Sequence, residues 1–300
     1  YNCIFIKNDT HAAIVKKEIK DVDGWICSPC PSYKIDRAIL SKARKIKFII
    51  TPSTGVTHID LEYLKKKKIK IKSLKNTKLV NQIYASSEFT FLMLMNAFKN
   101  FYDGALNVKM GYWRQKEGYL RGNELTNKTL GIVGFGRIGS NVAKYATSMG
   151  MKVGFYDPYK KTKNKNIKKF KNMFEMLKRS DAVIVSVHLD NLTINLVNKK
   201  FFSFMKNGSI FVNSSRGEIV NEKELIKFLT KNKKSKAIID VIQNEQSKEL
   251  RKNILYDFSK RSSRLLITPH MAGLTFESET KAAIQTYNNL KQVLRGMKFD

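Results

Sequence analysis

Cysteine is scarce in this chain of 300 residues: there are three, alongside four histidines, five prolines and two tryptophans. So few cysteines exclude a disulfide framework and fit a reducing compartment. Cys27 and Cys30 form a C-x-x-C, but no second ligand pair stands at zinc spacing. Pro29 and Pro31 argue for a turn where a thioredoxin-like site needs a helix start. With the histidines equally scattered, no metal site is expected. Long apolar runs are missing too. The run from Phe89 to Met95 is well short of the ~20 residues that span a bilayer, and no charged start leads into an apolar stretch of the signal-peptide kind. The expectation is a cytoplasmic protein with no membrane partner. Acidic residues are outnumbered, 25 against 56 lysines and arginines, for a formal net charge of +31. Such an excess can mark a nucleic-acid partner. The lysines here are spread through nearly every segment, and the densest groups, Lys65–Lys68 and Lys160–Lys171, fall where helix ends or exposed loops are expected, with few aromatics between them. That pattern is a solvated surface, and nucleic-acid binding is not expected.

What is present is a hydrophobic content of 42%, enough to bury a full core, and a length that suits two domains. Short apolar runs at Tyr1–Ile6, Gly24–Cys27, Phe48–Pro52 and Ile69–Ser73 alternate with helix-compatible segments, which is a β/α repeat. Ser86 and Ser87 are cap candidates for a long helix reaching about Lys109, with Phe89, Leu92, Met93, Asn96, Ala97 and Asn100 at helical spacing. Strands are then expected at Leu130–Val133, Lys152–Tyr156, Ala182–Val187, Ser209–Asn213, Ala237–Val241 and Leu265–Thr268. Their Val, Ile and Leu content on both faces requires a parallel sheet covered on both sides. Glu277–Met297 is helical in pattern and is expected to return to the first domain.

The strand ending at Val133 runs into Gly134-Phe135-Gly136-Arg137-Ile138-Gly139, followed by a helix-like segment from Ser140. In G-x-G-x-x-G the first glycine permits the tight turn, the second lets backbone approach a pyrophosphate, and the third lets helix and strand pack closely. The hexapeptide alone is a weak signal. Asp157 strengthens it, ending the next strand eighteen residues after Gly139, where an acceptor for the adenosine ribose hydroxyls belongs. A carboxylate there repels a 2′-phosphate and points to NAD, a preference that the nearby Lys160 and Lys161 weaken.

Arg216, Glu245 and His270 each follow an expected strand end, and in an open α/β sheet that rim is where ligands bind. Reduction of a 2-oxo acid needs a hydride at C2, a proton for the carbonyl oxygen and a cation for the carboxylate. Imidazole, with an unperturbed pKa of about 6.5, exchanges protons near neutrality, and an adjacent carboxylate orients it. His270 is therefore assigned as acid/base, Glu245 as its partner, and Arg216 as the clamp on carboxylate and carbonyl, to which a planar guanidinium is suited.

These segments resemble the D-isomer-specific 2-hydroxyacid dehydrogenase family, which includes D-3-phosphoglycerate dehydrogenases and glyoxylate or hydroxypyruvate reductases. The resemblance covers nearly the whole chain and rests on STGVTHID from Ser53, ASSE from Ala85, TLGIVGFGRIG from Thr129, FVNSSRGEIVNEKEL from Phe211, IIDVIQNE from Ile238 and TPHMAGLT from Thr268. It implies that Arg216, Glu245 and His270 are catalytic, and that substrate is held by Ser53, Thr54, Gly55 and Val56, with the amides of the last two on its carboxylate. For the cofactor it implies Gly134, Phe135, Gly136, Arg137, Ile138, Gly139, Asp157, Pro158, His188, Ser214, Ser215, Asp240, Ala272 and Gly273, with Asp240 on the nicotinamide amide. The implied fold is two doubly wound α/β domains: a Rossmann NAD domain over 99–274, inserted into a flavodoxin-like substrate domain of 1–98 and 275–300. A homodimer paired through the cofactor domains is also implied. The chain departs from the family at the segment after His188, which is short, and at Gln246, where a proline is common. It also has Ser53-Thr54 where the phosphoglycerate enzymes carry an arginine ahead of the loop glycine, which argues against a phosphorylated substrate.

Other residues give less. His58 reads as structural, His11 has no partner motif, and Trp113 and Arg121 lie in a stretch that reaches either the pocket or a partner subunit. The alternative to a working dehydrogenase is a non-catalytic NAD(H)-sensing protein on the same fold, because fold does not fix function.

Overall fold

A parallel sheet covered on both sides needs its central strands apolar on both faces, and two segments of the chain meet that demand separately. The computed structural model describes residues 2–6, 12–115, 117–245 and 249–296. Its described residues fall into two units, one within Tyr1–Ile83 and Thr275–Asp300, the other within Tyr84–Glu245 and Glu249–Leu274.

The first unit holds β1 (Gly24–Ile26), β2 (Phe48–Ile50) and β3 (Lys70–Lys72), all parallel and in that order. Side chains alternate along a strand. Ile49 therefore faces a cluster with Val15, Ile19, Leu40 and Leu64, while Phe48 and Ile50 face Val293 on the opposite side. Val293 belongs to the helix Phe276–Arg295, which starts with a capping box between Thr275 and Ser278. This is the returning helix expected from the pattern of Glu277–Met297, and Met297 lies outside the described residues. Residues 2–6 form no strand, contrary to expectation, and Phe5 is 86% exposed. An apolar run becomes a strand only where a sheet edge takes its amides, and here none does among the described residues.

The second unit carries β4 (Thr129–Val133), β5 (Lys152–Tyr156), β6 (Ile167–Lys169), β7 (Ala182–Val185), β8 (Ile210–Asn213), β9 (Lys236–Ile239) and β10 (Leu265–Ile267). Their order is β10-β9-β8-β7-β4-β5-β6, all parallel, so the winding reverses between β4 and β7. That is the switch point of a doubly wound sheet, and every strand ends on the same rim. β6 lies within Lys160–Lys171, a stretch where the sequence leads one to expect a helix end or an exposed loop. The central strands are buried on both faces. Val183, Val185 and Phe211 pack with Phe201 and Leu225, and Ile132, Ile184 and Val212 pack with Met93, Leu94, Ala97 and Phe98.

Those last four residues belong to the helix Ala85–Lys99, which is why it sits in the second unit, whereas the sequence reading carries the first domain to residue 98. The helix starts after Tyr84 rather than at Ser86 or Ser87 and has no side-chain cap. It also stops short of Lys109. Asn100 adopts φ +53°, and a second helix, Phe101–Lys109, follows. Asparagine tolerates the left-handed region. Here its carboxamide donates to the carbonyls of Leu120 and Arg121 while Asn96 Oδ1 accepts the amide of Tyr102, so the break is held from both sides.

Candidate active site

β4 delivers Gly134 to the rim with φ +90°, where an added Cβ would lie 2.4 Å from the carbonyl oxygen of Ser186. Gly139 lies on the helix Arg137–Ser148, and a Cβ there would meet the carbonyl oxygen of Gly134 at 2.3 Å. The helix thus packs against the turn at a distance only glycine allows. Gly136, the N-cap, is different: a Cβ would meet nothing within 4 Å. The open space therefore lies beside the helix N-terminus, whose amides favour an anion. This set fits the diphosphate of a dinucleotide. Arg137, half-buried at the same place, has its pKa pushed down by burial.

Asp157 directly follows β5. Its Oδ2 accepts the amide of Phe135 at 2.8 Å, and Oδ1 accepts the amides of Tyr159 and Lys160 at 2.8 and 3.0 Å. The carboxylate is thereby fixed beside the glycine loop, whose Phe135 stacks on Phe155 with ring centroids 3.8 Å apart. Pro158, Lys160 and Lys161 are exposed, and Lys169 Nζ donates to the carbonyl of Lys160 at 2.7 Å. His188 is exposed, and its carbonyl accepts the hydroxyl of Thr193.

On the other half of the same rim, His270 Nδ1 meets Glu245 Oε1 at 2.8 Å. An ionised carboxylate can only accept, so in the tautomer that pairs with an ionised Glu245 the ring proton sits on Nδ1. Neighbouring strands make this pair. β9 leads to Glu245 and β10 to His270, and the two strands are in register from Leu265 against Ala237. His270 adopts φ +51°, with its amide donating to the carbonyl of Asp240 at 2.8 Å. The Asp240 carboxylate, 1% exposed, accepts the hydroxyl of Thr268 and the amides of Met271 and Ala272. Both its oxygens are thus bonded to the turn that presents His270, a use the motif alone does not reveal. Gly273 has only the hydroxyl of Ser86 near its missing Cβ, at 3.7 Å.

Arg216 follows β8 in a turn closed by Asn213, whose carboxamide donates to the Arg216 carbonyl and accepts the amide of Ser215. Ser215 Oγ donates to the carbonyl of Val185, and Ser214 Oγ lies 2.6 Å from Thr90 Oγ1. The Arg216 guanidinium donates to the carbonyl of Ser215. Thr90 and Thr268 were not anticipated. Thr90 is buried and Thr268 half-buried, and neither hydroxyl carries a spacing signal.

In the first unit the loop Ser53–Val56 is half-buried, and Ser53 Oγ accepts the amide of Gly55 at 3.1 Å. His58 is 5% exposed. Trp113 is 71% exposed, and Arg121 pairs with Glu117. His11 and Gln246 lie outside the described residues.

A switch-point glycine loop, a fixed carboxylate after the next strand and an imidazole–carboxylate pair on the same rim define a nucleotide-binding Rossmann unit equipped for proton transfer. The family model for the D-isomer-specific 2-hydroxyacid dehydrogenase NAD-binding domain matches residues 91–272. This chain belongs to that family, and the cofactor of its Rossmann unit is NAD. It is 31% identical over 287 residues to a D-3-phosphoglycerate dehydrogenase of Methanocaldococcus jannaschii, covering 93% of this chain and 51% of that one. It therefore spans about half the length of that relative. It is 30% identical over 289 residues to a glyoxylate reductase of Pyrococcus furiosus, covering 93% and 82%. A D-lactate dehydrogenase from Aquifex aeolicus, solved with NAD and lactic acid, superposes with a TM-score of 0.81 at 29% identity, covering 94% and 85%. No helix among the described residues is long and apolar enough to cross a membrane.

Proposed function

We propose that this chain interconverts a small D-2-hydroxy acid and its 2-oxo acid, with His270 as the acid/base, Glu245 as its partner and Arg216 on the substrate carboxylate and carbonyl. NAD, when bound, supplies or receives the hydride at C2. His270 gives a proton to the carbonyl oxygen in reduction and takes it from the hydroxyl in oxidation. Glu245 holds the ring in place by its Nδ1 proton. Ser53, Thr54, Gly55 and Val56 are proposed to bind the substrate. The observation that carries this reading is the 2.8 Å bond between His270 and Glu245 on the rim that also holds the glycine loop.

Its test is NADH oxidation at 340 nm against glyoxylate, hydroxypyruvate, pyruvate, phosphohydroxypyruvate and longer 2-oxo acids. Turnover is expected with an unphosphorylated acid, given Ser53-Thr54 in the loop. Tight NADH binding without turnover of any acid would favour the NAD-sensing alternative.

We also propose a homodimer. Phe101, Tyr102, Val108, Met110 and Trp113 are all exposed within one short stretch of the second unit, and an apolar surface of that kind is covered at low cost by its own copy. Sedimentation at micromolar concentration should give twice the chain mass. A monomer there would refute the pairing.

A further inference from the structure

Glu222 is a buried carboxylate with no part in the reaction described above. It is 7% exposed and opens the helix Glu222–Lys231, yet it does not cap that helix, because Asn221 does so by accepting the amide of Glu224. Its side chain points elsewhere. Oε1 accepts the amide of Gln243 at 2.7 Å, and Asn253 Nδ2 lies 3.4 and 3.2 Å from the two oxygens. Gln243 closes a second link by donating its own Nε2 to the carbonyl of Val220 at 2.6 Å. One residue on, Asn244 takes φ +53°, and the next residue is Glu245. Below this turn the chain leaving β8 packs backbone to backbone, since a Cβ on Gly217 would lie 2.0 Å from the carbonyl carbon of Ile242. The segment 242–245 is thus pinned at its amide, its side chain and its floor. The cost of the arrangement is visible in Glu222 itself. Burial pushes its carboxyl above the ordinary value, the bonds from Gln243 and Asn253 pull it back, and the charge of Glu218 adds to the rise. A carboxyl kept among neutral donors at such a cost calls for a reason beyond packing.

We infer that Glu222 is a positioning residue for the acid–base pair: by holding the amide of Gln243 it sets the turn from which Glu245 meets His270. The inference rests on the proposed roles of those two residues. What matters in it is the reach of an acceptor oxygen rather than charge. Glutamine keeps that oxygen. Aspartate keeps the charge but falls one methylene short.

The test compares Glu222→Ala, Glu222→Gln and Glu222→Asp, each alone and with Glu245→Gln, by kcat and KM with NADH and the best acid of the panel. Glu222→Ala is expected to lower kcat by roughly 10- to 100-fold, the scale of losses when an outer residue lets a reacting group shift, with KM for NADH unchanged within about twofold. Glu222→Gln stays within about threefold of wild type, and Glu222→Asp falls below it. With Glu245→Gln already present, removing Glu222 costs little more, because the two act on one step. Equal losses in both backgrounds, no loss with alanine, or aspartate equal to or better than glutamine would each overturn the inference. The order of glutamine and aspartate decides the matter if the alanine variant does not fold. If the wild type turns over no acid, the function reading fails separately. NMR titration of the His270 ring then tests the inference alone: Glu222→Asp should move it toward the value in Glu245→Gln, and an unmoved ring would sink it.

Discussion

Replacing His270 with glutamine is expected to lower kcat for 2-oxo acid reduction by roughly 10²–10⁴-fold, the usual worth of a positioned acid/base. Glutamine can still bond to Glu245 and fills similar space, but it exchanges no proton in the physiological range. The turn that carries the residue should survive, because it is held from below by the buried Asp240 carboxylate and by the bond from the His270 amide to the Asp240 carbonyl. NADH affinity, measured by quenching of protein fluorescence, should therefore change by less than about threefold. A variant that keeps near-normal kcat would remove His270 from the reaction and leave the hydride step without an identified proton donor.

The second large effect concerns two glycines three residues apart that the structure treats differently. Alanine at 139 places a Cβ 2.3 Å from the carbonyl oxygen of Gly134 and 3.1 Å from Ile132 Cγ2. Helix and turn must separate, at about 1–3 kcal/mol for overpacking of this kind, and the amides at the helix N-terminus, proposed to hold the diphosphate, move with the helix. Alanine at 136 meets nothing within 4 Å and has an ordinary φ of −77°. It occupies only the space a cofactor would use. Calorimetry and NADH titration of the two variants should then part. Gly139→Ala loses both thermal stability and at least tenfold in affinity, whereas Gly136→Ala loses affinity with its melting temperature held within about 1 °C. If Gly136→Ala bound NADH as wild type does, the diphosphate would have to lie elsewhere.

The cofactor half of the site was legible in sequence because its requirements are local. Gly134, Gly139 and Asp157 lie within one strand–helix–strand unit, and each position is dictated by a steric or hydrogen-bonding demand met inside that unit. The buried parallel strands were legible for a similar reason, since β7 is apolar at every position and β8 at every position but Asn213, which ends it. Less could be read where neighbours decide. The run at residues 2–6 has strand composition but no partner edge among the described residues, and β6 is a strand of Ile167, Lys168 and Lys169 made so by pairing with β5. The helix that should have reached Lys109 breaks at Asn100, because contacts with the distant Leu120 and Arg121 stabilise a left-handed residue that helical spacing cannot foresee.

By itself, then, the sequence determined that this chain builds a parallel, doubly wound sheet with a dinucleotide loop at its switch point, since hydrophobic periodicity and glycine sterics act over a few residues. Only the tertiary structure decided that Glu245 and His270 meet, that Asp240 anchors the imidazole turn and that Glu222 grips the turn of Glu245. Those contacts join residues twenty or more positions apart, and they exist because parallel strand order brings the ends of β8, β9 and β10 to one rim and lets each loop serve as the support of the next.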